Sequence, residues 1–321
     1  MRRLRALCAA LMVLAVLGVS GCGLFSPAPR GDEAPAPPPS GAPAPGGGAH
    51  GAPDGPPVLA VKIDNVAEGR PPVGLAAAEM VFAEPVEGGF SRLLAIFGEN
   101  KPPVIGPVRS ARETDAQILP QFGKPVLAYS GVAPEIRPVI DQAPLIDGSD
   151  QAVPQAYSRE PARPTPHNLF VDPAQLPTGE PWPGANRPLV GELPDGGQPA
   201  ENYEVRYPSA RIGFFYNHQS RLWNVSMDGD PYAAINTGRI GASTVIVQHV
   251  NVHDSVVRDA AGNPSPVVET VGSGRILMLR EGRSFEGRWE RPSPTDATRY
   301  TDLAGAPLPA APGQIWVVLT R

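Results

Sequence analysis

The sequence predicts an α+β N-terminal domain with a mixed sheet, followed by a β-rich C-terminal domain. Three observations carry that reading. Residues 57–185 hold short apolar runs rich in β-branched residues together with one helical segment. Residues 203–321 hold apolar or alternating runs between Gly-rich breaks, with no long helical period. Between them, residues 186–202 shift to Pro, Gly and polar types, as in RPLVGELPDGGQPAEN, which marks a linker.

The chain opens MRRLRALCAALMVLAVLGVSGC. Arg2, Arg3 and Arg5 precede an apolar run from Ala6 to Val19, and small residues lead to Cys22. The run is too short for a stable membrane span and reads as a signal peptide over residues 1–21. Val19-Ser20-Gly21-Cys22 resembles the lipobox of bacterial lipoproteins, so Cys22 is the expected lipidation site, carrying diacylglycerol on sulfur, with an acyl group such as palmitate on the new amino terminus. Two or three chains anchor durably, at about 0.8 kcal/mol per buried methylene. The expected location is the extracytoplasmic face of the cell membrane, with the membrane itself as one partner.

The sequence has two cysteines. Cys8 leaves with the signal and Cys22 is taken by lipid, so the exported part has neither a disulfide nor a thiol nucleophile and depends on an apolar core. Loss of Arg2, Arg3 and Arg5 takes the formal charge from -5 to -8, which argues against nucleic acid as a partner. Residues 22–56 are nearly all Pro, Ala, Gly and Ser, too poor in apolar surface to offset their ordering entropy, and read as a disordered tether. At up to about 3.1 Å per residue in polyproline form it reaches as much as ~100 Å, which suits work within a wall layer.

In the N-terminal domain, VLAVKIDN (Val58 to Asn65) predicts a strand with a polar tip. Met80 to Val86 and Ser91 to Phe97 predict a hairpin turning at Glu87-Gly88-Gly89, with Pro85 at a sheet edge or a bulge. In GPVRSARETD, Ser110 and Glu113 have the spacing of a capping box, which predicts a helix from Ala111 to about Leu119. Arg109 and Arg112 then sit at the helix start, where a further cation is unfavourable unless it meets a carboxylate or an anion. Pro125 to Tyr129 predicts another strand, and His167 with Asn168 follows Pro166 beside an apolar pair.

The C-terminal strands are read in ARIGFFYN, LWNVSMDGDPY with its Asp228-Gly229 turn, STVIVQHVNVHD, PVVETVGSGRILMLREG and PGQIWVVLTR. His249 and His253 share a strand face but lie about 13 Å apart at roughly 3.3 Å per residue, too far for one metal ion. There is no HExxH-like, Cys-pair, G-x-S-x-G, Walker A or dinucleotide glycine motif. The sequence therefore predicts no metal and no cofactor.

VKIDN, GRPPVGLAAAEMVFAEPVEGGFSRLLAIF, IGPVRSAR, PHNLF, VIVQ, YTDLAG and PGQIWVVL together resemble the YerB-like family of bacterial lipoproteins over almost the whole chain after the tether. The resemblance implies an exported lipoprotein with an N-terminal domain holding those motifs and a distinct C-terminal domain, and it implies no reaction. Its motif residues fall here on Asp64, Asn65, Arg70, Glu84, Glu87, Gly88, Gly89, Arg92, Arg109, Ser110, Arg112, His167 and Asn168.

Two functions are open at this level. One is a binding protein of the cell envelope in which Arg92, Arg109, Ser110, Arg112, Asn65 and Asn168 hold an anionic wall component or dock a protein of the wall machinery. The other is an enzyme on an envelope glycan, with catalytic groups drawn from Asp64, Glu84, Glu87 and His167 as general acid and base. An internal ion-pair network among the same side chains is the structural alternative. A glycosidase needs a carboxylate pair about 5–9.5 Å apart on an open cleft, whereas a binding site or ion-pair network ties each carboxylate to a cation.

Overall fold

The computed structural model describes residues 54–235, 238–259 and 261–321. The signal segment, Cys22 and the tether up to residue 53 lie outside the described residues. Near the start of the described residues Gly55 N donates to Trp182 O and Trp182 N donates to Pro56 O. Among the described residues no helix is long and apolar enough to cross a membrane.

The N-terminal part contributes β1 (Leu59–Ile63), β2 (Met80–Pro85), β3 (Ser91–Phe97), α1 (Glu113–Ile118), β4 (Val126–Ala128), α2 (Arg137–Gln142), β5 (Ile146–Asp147), β6 (Tyr157–Arg159) and β7 (Leu169–Val171). Then follow β8 (Gln198–Pro199), β9 (Asn202–Tyr207), β10 (Ala210–Asn217), β11 (Leu222–Met227), β12 (Asp230–Pro231), β13 (Ala233–Ala234), β14 (Gly238–Arg239) and β15 (Gly241–Ala242). The chain closes with β16 (Thr244–His249), β17 (Val252–Arg258), β18 (Pro264–Val268), β19 (Gly272–Arg280), β20 (Arg283–Arg291), β21 (Arg299–Asp302) and β22 (Ile315–Thr320).

The architecture is predominantly β, with a mixed sheet and few helices. Both α-helices described have six residues, so the α component is smaller than the sequence predicts. One sheet runs through both parts in the order β21-β20-β19-β16-β22-β2-β3-β1-β4-β5, with β8 beside β20. Its seam is the parallel pair β2–β22, in register from Met80↔Ile315 to Ala83↔Val318. Strand β2 is therefore central and not an edge. Pro85 fits there because it lies past the last residue that β22 pairs, so its missing N–H leaves no ladder partner unsatisfied.

Both faces of this sheet are covered, which explains why β1, β3 and β22 are apolar runs and not alternating ones. On one face Val61, Ile63, Val81, Ala83 and Trp316 pack against Ile212, Phe214, Trp223 and Met227 of the smaller β12-β11-β10-β9 sheet. On the other, Ala60, Phe82, Leu94 and Ile96 pack under Ile118, Leu119 and Phe122 of α1 and the turn after it. The Tyr207 hydroxyl donates to Leu319 O at 2.9 Å and Ala83 O at 3.3 Å, tying the small sheet to the seam.

Candidate functional site

The site lies where β1, β2 and β3 end beneath α1. Alternation along β1 sends Val61 and Ile63 into one apolar core and Ala60 and Lys62 towards α1. Lys62 is fully buried. Its ammonium donates to Asp115 Oδ1 at 2.6 Å and also contacts Glu84 Oε1. Burial is the main force lowering its pKa to about 8, opposed by Asp115 and reinforced by Arg92 and Arg112.

The segment Gly106–Ala111 is held by backbone bonds between the ends of β1 and β4. Asp64 N donates to Pro107 O, Arg109 N to Lys62 O, Ser130 N to Arg109 O, and Ala111 N to Gly131 O. The N-cap of α1 is Arg112, not a position set by Ser110. Asp115 at N3 accepts from the Arg112 N–H at 2.7 Å, so the acidic half of the box falls two residues later than the Ser110–Glu113 spacing predicts. Helix α1 starts at Glu113 and gives way after Ile118 to a 3-10 turn that contains Pro120.

The three arginines differ in what they hold. Arg112 binds Glu87 through two parallel bonds, Nε to Oε1 at 2.7 Å and Nη2 to Oε2 at 2.8 Å. Its Nη1 donates to the carbonyls of Ser110 and Ala111. Burial would raise the Glu87 pKa, but the Arg112 bonds prevail and hold it at about 2. Arg109 Nε lies 3.3 Å from Asp64 Oδ2 without the alignment of a hydrogen bond, and its Nη1 reaches Pro166 O at 3.5 Å. Arg92, only 6% exposed, has Nε and Nη1 buried with no acceptor. Burial first, then Arg112 and Arg109, lower its pKa to about 9.

Asp64 is 1% exposed and takes His167 Nδ1 at 2.6 Å on the oxygen that faces Arg109. The close approach of Gly69 matters here, since a Cβ at that position would stand 2.8 Å from the Asp64 Cβ and Cγ. Asn65 turns to the opposite side, donating to Ser91 Oγ at 2.9 Å and towards Met227 Sδ. Its main-chain carbonyl accepts from Arg70, whose Nη1 also meets Asp228 Oδ2 at 2.8 Å. Asn168 accepts from Arg159 at 2.8 Å and donates to Glu160 O, so its amide braces the β6–β7 ribbon.

Residues 48–181 match the family model described as the N-terminal domain of a protein of unknown function (DUF3048), and residues 203–317 match that of its C-terminal domain. YerB of Bacillus subtilis (strain 168), a lipoprotein by its name, is 25% identical over 274 residues, covering 81% of this chain and 80% of YerB. The chain belongs to the YerB-like family. A crystal structure of YerB from Bacillus subtilis matches with a TM-score of 0.69 over 83% of this chain and 91% of that one, at 20% identity, so the YerB-like fold is shared.

Of the YerB-like motif residues, the fold gathers Asp64, Glu84, Glu87, Arg92, Arg109, Arg112 and His167 into one charged cluster. Lys62 and Asp115 complete it, and sequence reasoning did not single them out. A lysine inside VLAVKIDN was the available signal, because a cation on a strand buried on both faces must find an acid. His249 and His253 go to different sheets, where His249 meets Arg321 O and His253 meets Glu269. Among the described residues no group of His, Cys, Asp and Glu is arranged to hold a metal ion.

Proposed function

We propose that this chain is a lipid-anchored protein on the extracytoplasmic side of the bacterial cell envelope, and that Arg92 and Arg109 hold an anionic group of a wall component or of a wall-machinery protein. Anchoring rests on the lipobox at Cys22 and on the lipoprotein name of its relative YerB. Binding rests above all on Arg92, a buried guanidinium with two N–H-bearing nitrogens and no acceptor. A buried polar group left unmet costs about 1–3 kcal/mol, more if charged, and an incoming anion removes that cost.

Two contrasts support the reading. Arg280 and Arg291 are equally buried, yet carbonyls fill their donors: Gly191, Glu192 and Pro309 for Arg280, and Gln117, Pro294 and Asp296 for Arg291. Arg112 is spent on Glu87, so the hold falls to Arg92 and Arg109. Moreover Glu84, Glu87 and Asp64 each meet a cation, which is the pattern of a binding site or an ion-pair network and not of a glycosidase pair on an open cleft.

Thermal unfolding of the purified chain against wall fragments tests this. A fragment at a hundredfold its dissociation constant adds about 2.7 kcal/mol. The reading predicts stabilisation of the native chain and none of the Arg92→Met, Arg109→Gln double variant. Radiolabelled palmitate incorporated into the native chain but not into Cys22→Ser tests the anchor. A second reading rests on one contact, His167 Nδ1 to the buried Asp64, which orients the imidazole as a general base would be oriented. A mass change in the bound fragment, lost in His167→Gln, would favour it.

A further inference from the structure

The anion-binding reading above leaves the chemical class of the anion open, and the charge and depth of the site narrow it. We infer that the group held by Arg92 and Arg109 is a terminal carboxylate, and not a phosphate mono- or diester.

Charge sets the first limit. The carboxylates of Asp64, Glu84, Glu87 and Asp115 match Lys62, Arg92, Arg109 and Arg112 one for one, and His167 is held by Asp64. The imbalance is local: Lys62 carries two carboxylates, and Arg92 carries none within salt-bridge distance, although Glu84 is its partner across the β2–β3 ladder. One negative charge beside Arg92 completes that guanidinium. A second would face Asp64, Glu84 and Glu87 with no cation to spare, because Arg112 is taken by Glu87 and Arg109 is shared with Asp64. Like charges brought close together in a site of lowered dielectric repel more strongly than they do in water. A phosphate monoester is close to doubly charged at neutral pH, so it is disfavoured.

Depth disfavours the other phosphate. Arg92 is 6% exposed and the Arg109 side chain 20% exposed. Only a group at the end of its own chain reaches so recessed a guanidinium. A phosphodiester carries a substituent on both sides and must leave the site twice. A carboxylate is terminal, singly charged and small, and like a phosphate it takes two parallel hydrogen bonds from an arginine edge, so charge and reach make the distinction.

The carboxylate of a wall peptide and that of a sugar acid share this chemistry. Isothermal titration of the full chain in mild detergent separates them, with N-acetyl-D-alanyl-D-alanine for the peptide and glucuronate for the sugar. Glycerol 3-phosphate serves as the terminal dianion, dimethyl phosphate as the internal monoanion, and N-acetyl-D-alanyl-D-alaninamide as the neutral control. At least one carboxylate is expected to bind tenfold or more tightly than either phosphate and the amide. Arg92→Met and Arg109→Gln should each weaken it by tenfold or more. Tighter binding of either phosphate overturns the carboxylate while leaving an anion site in place. If no anion binds the native chain, the inference falls together with the binding reading. A carboxylate that binds both variants as well as the native chain overturns the assignment to Arg92 and Arg109. Arg109→Gln keeps the test decisive should Arg92→Met not fold.

Discussion

Replacing Arg92 with methionine should stabilise the unliganded protein, an unusual outcome for a buried charged residue. Methionine keeps the apolar stem of arginine as far as the Nε position and removes the rest of the guanidinium. The native side chain leaves Nε and Nη1 buried without acceptors, worth about 1–3 kcal/mol each. Its pKa near 9 against an ordinary 12.5 says that the folded environment disfavours the cation, by burial and by Arg112 and Arg109. Against this stands the attraction of Asp64 and Glu87, which the variant loses. The net expected gain is about 2 kcal/mol, a rise in Tm of roughly 4 °C for a folded unit of this size. Calorimetry on the native chain, Arg92→Met and Arg291→Met checks it. Arg291 is the control, since its removal orphans the carbonyls of Gln117, Pro294 and Asp296 and should lower stability by about 3 kcal/mol or more. If Arg92→Met falls as far as Arg291→Met, the guanidinium is an integral structural cation and the argument from its unmet donors is wrong.

Other outcomes follow from the same cluster. Lys62→Met leaves Glu84 and Asp115 facing each other without a cation, and urea unfolding should show a loss of about 3–5 kcal/mol. Lys62 releases its proton earlier in the folded state, near pH 8, than in the unfolded chain, so the unfolded state binds more protons above pH 8 and stability rises with pH. Between pH 8 and 9.5 the rise should be about 1–2 kcal/mol and should vanish in Lys62→Met. At the acid end, Glu87 contributes stability that is present above its ordinary pKa of 4.5 and lost as pH falls towards 2, and Glu87→Gln should flatten that slope in an acid titration followed by circular dichroism. Gly89→Ala places a Cβ 2.6 Å from Pro208 at a backbone φ of +74°, and thermal melting should report a loss of about 2 kcal/mol.

The sheet was legible wherever burial on both faces produced unbroken apolar runs, as in β1, β3 and β22. Strand β20 was not, because its Arg and Glu residues alternate outward and dilute the inward Phe285 and Trp289. Helix α2 escaped for a different reason: at six residues with a proline in its first turn it has too little length for a helical period. Spacing put the cap of α1 at Ser110, whereas backbone bonds from Lys62 and Gly131 hold Arg109 and Ala111 extended and delay the helix to Glu113. The charged motif residues were visible as polar types at strand ends and turns. Which arginine is paired and which is not was invisible, because it depends on the β2–β3 register and on where Asp115 reaches, and neither is local in sequence.

The seam between β2 and β22 sets the order in which the molecule can be finished. Met80 waits for Ile315, so a strand made early in synthesis has its partner at the far end of the chain. Closing so long a loop is entropically slow, and until it closes the apolar edge of β2 is an open template for mispairing with another chain.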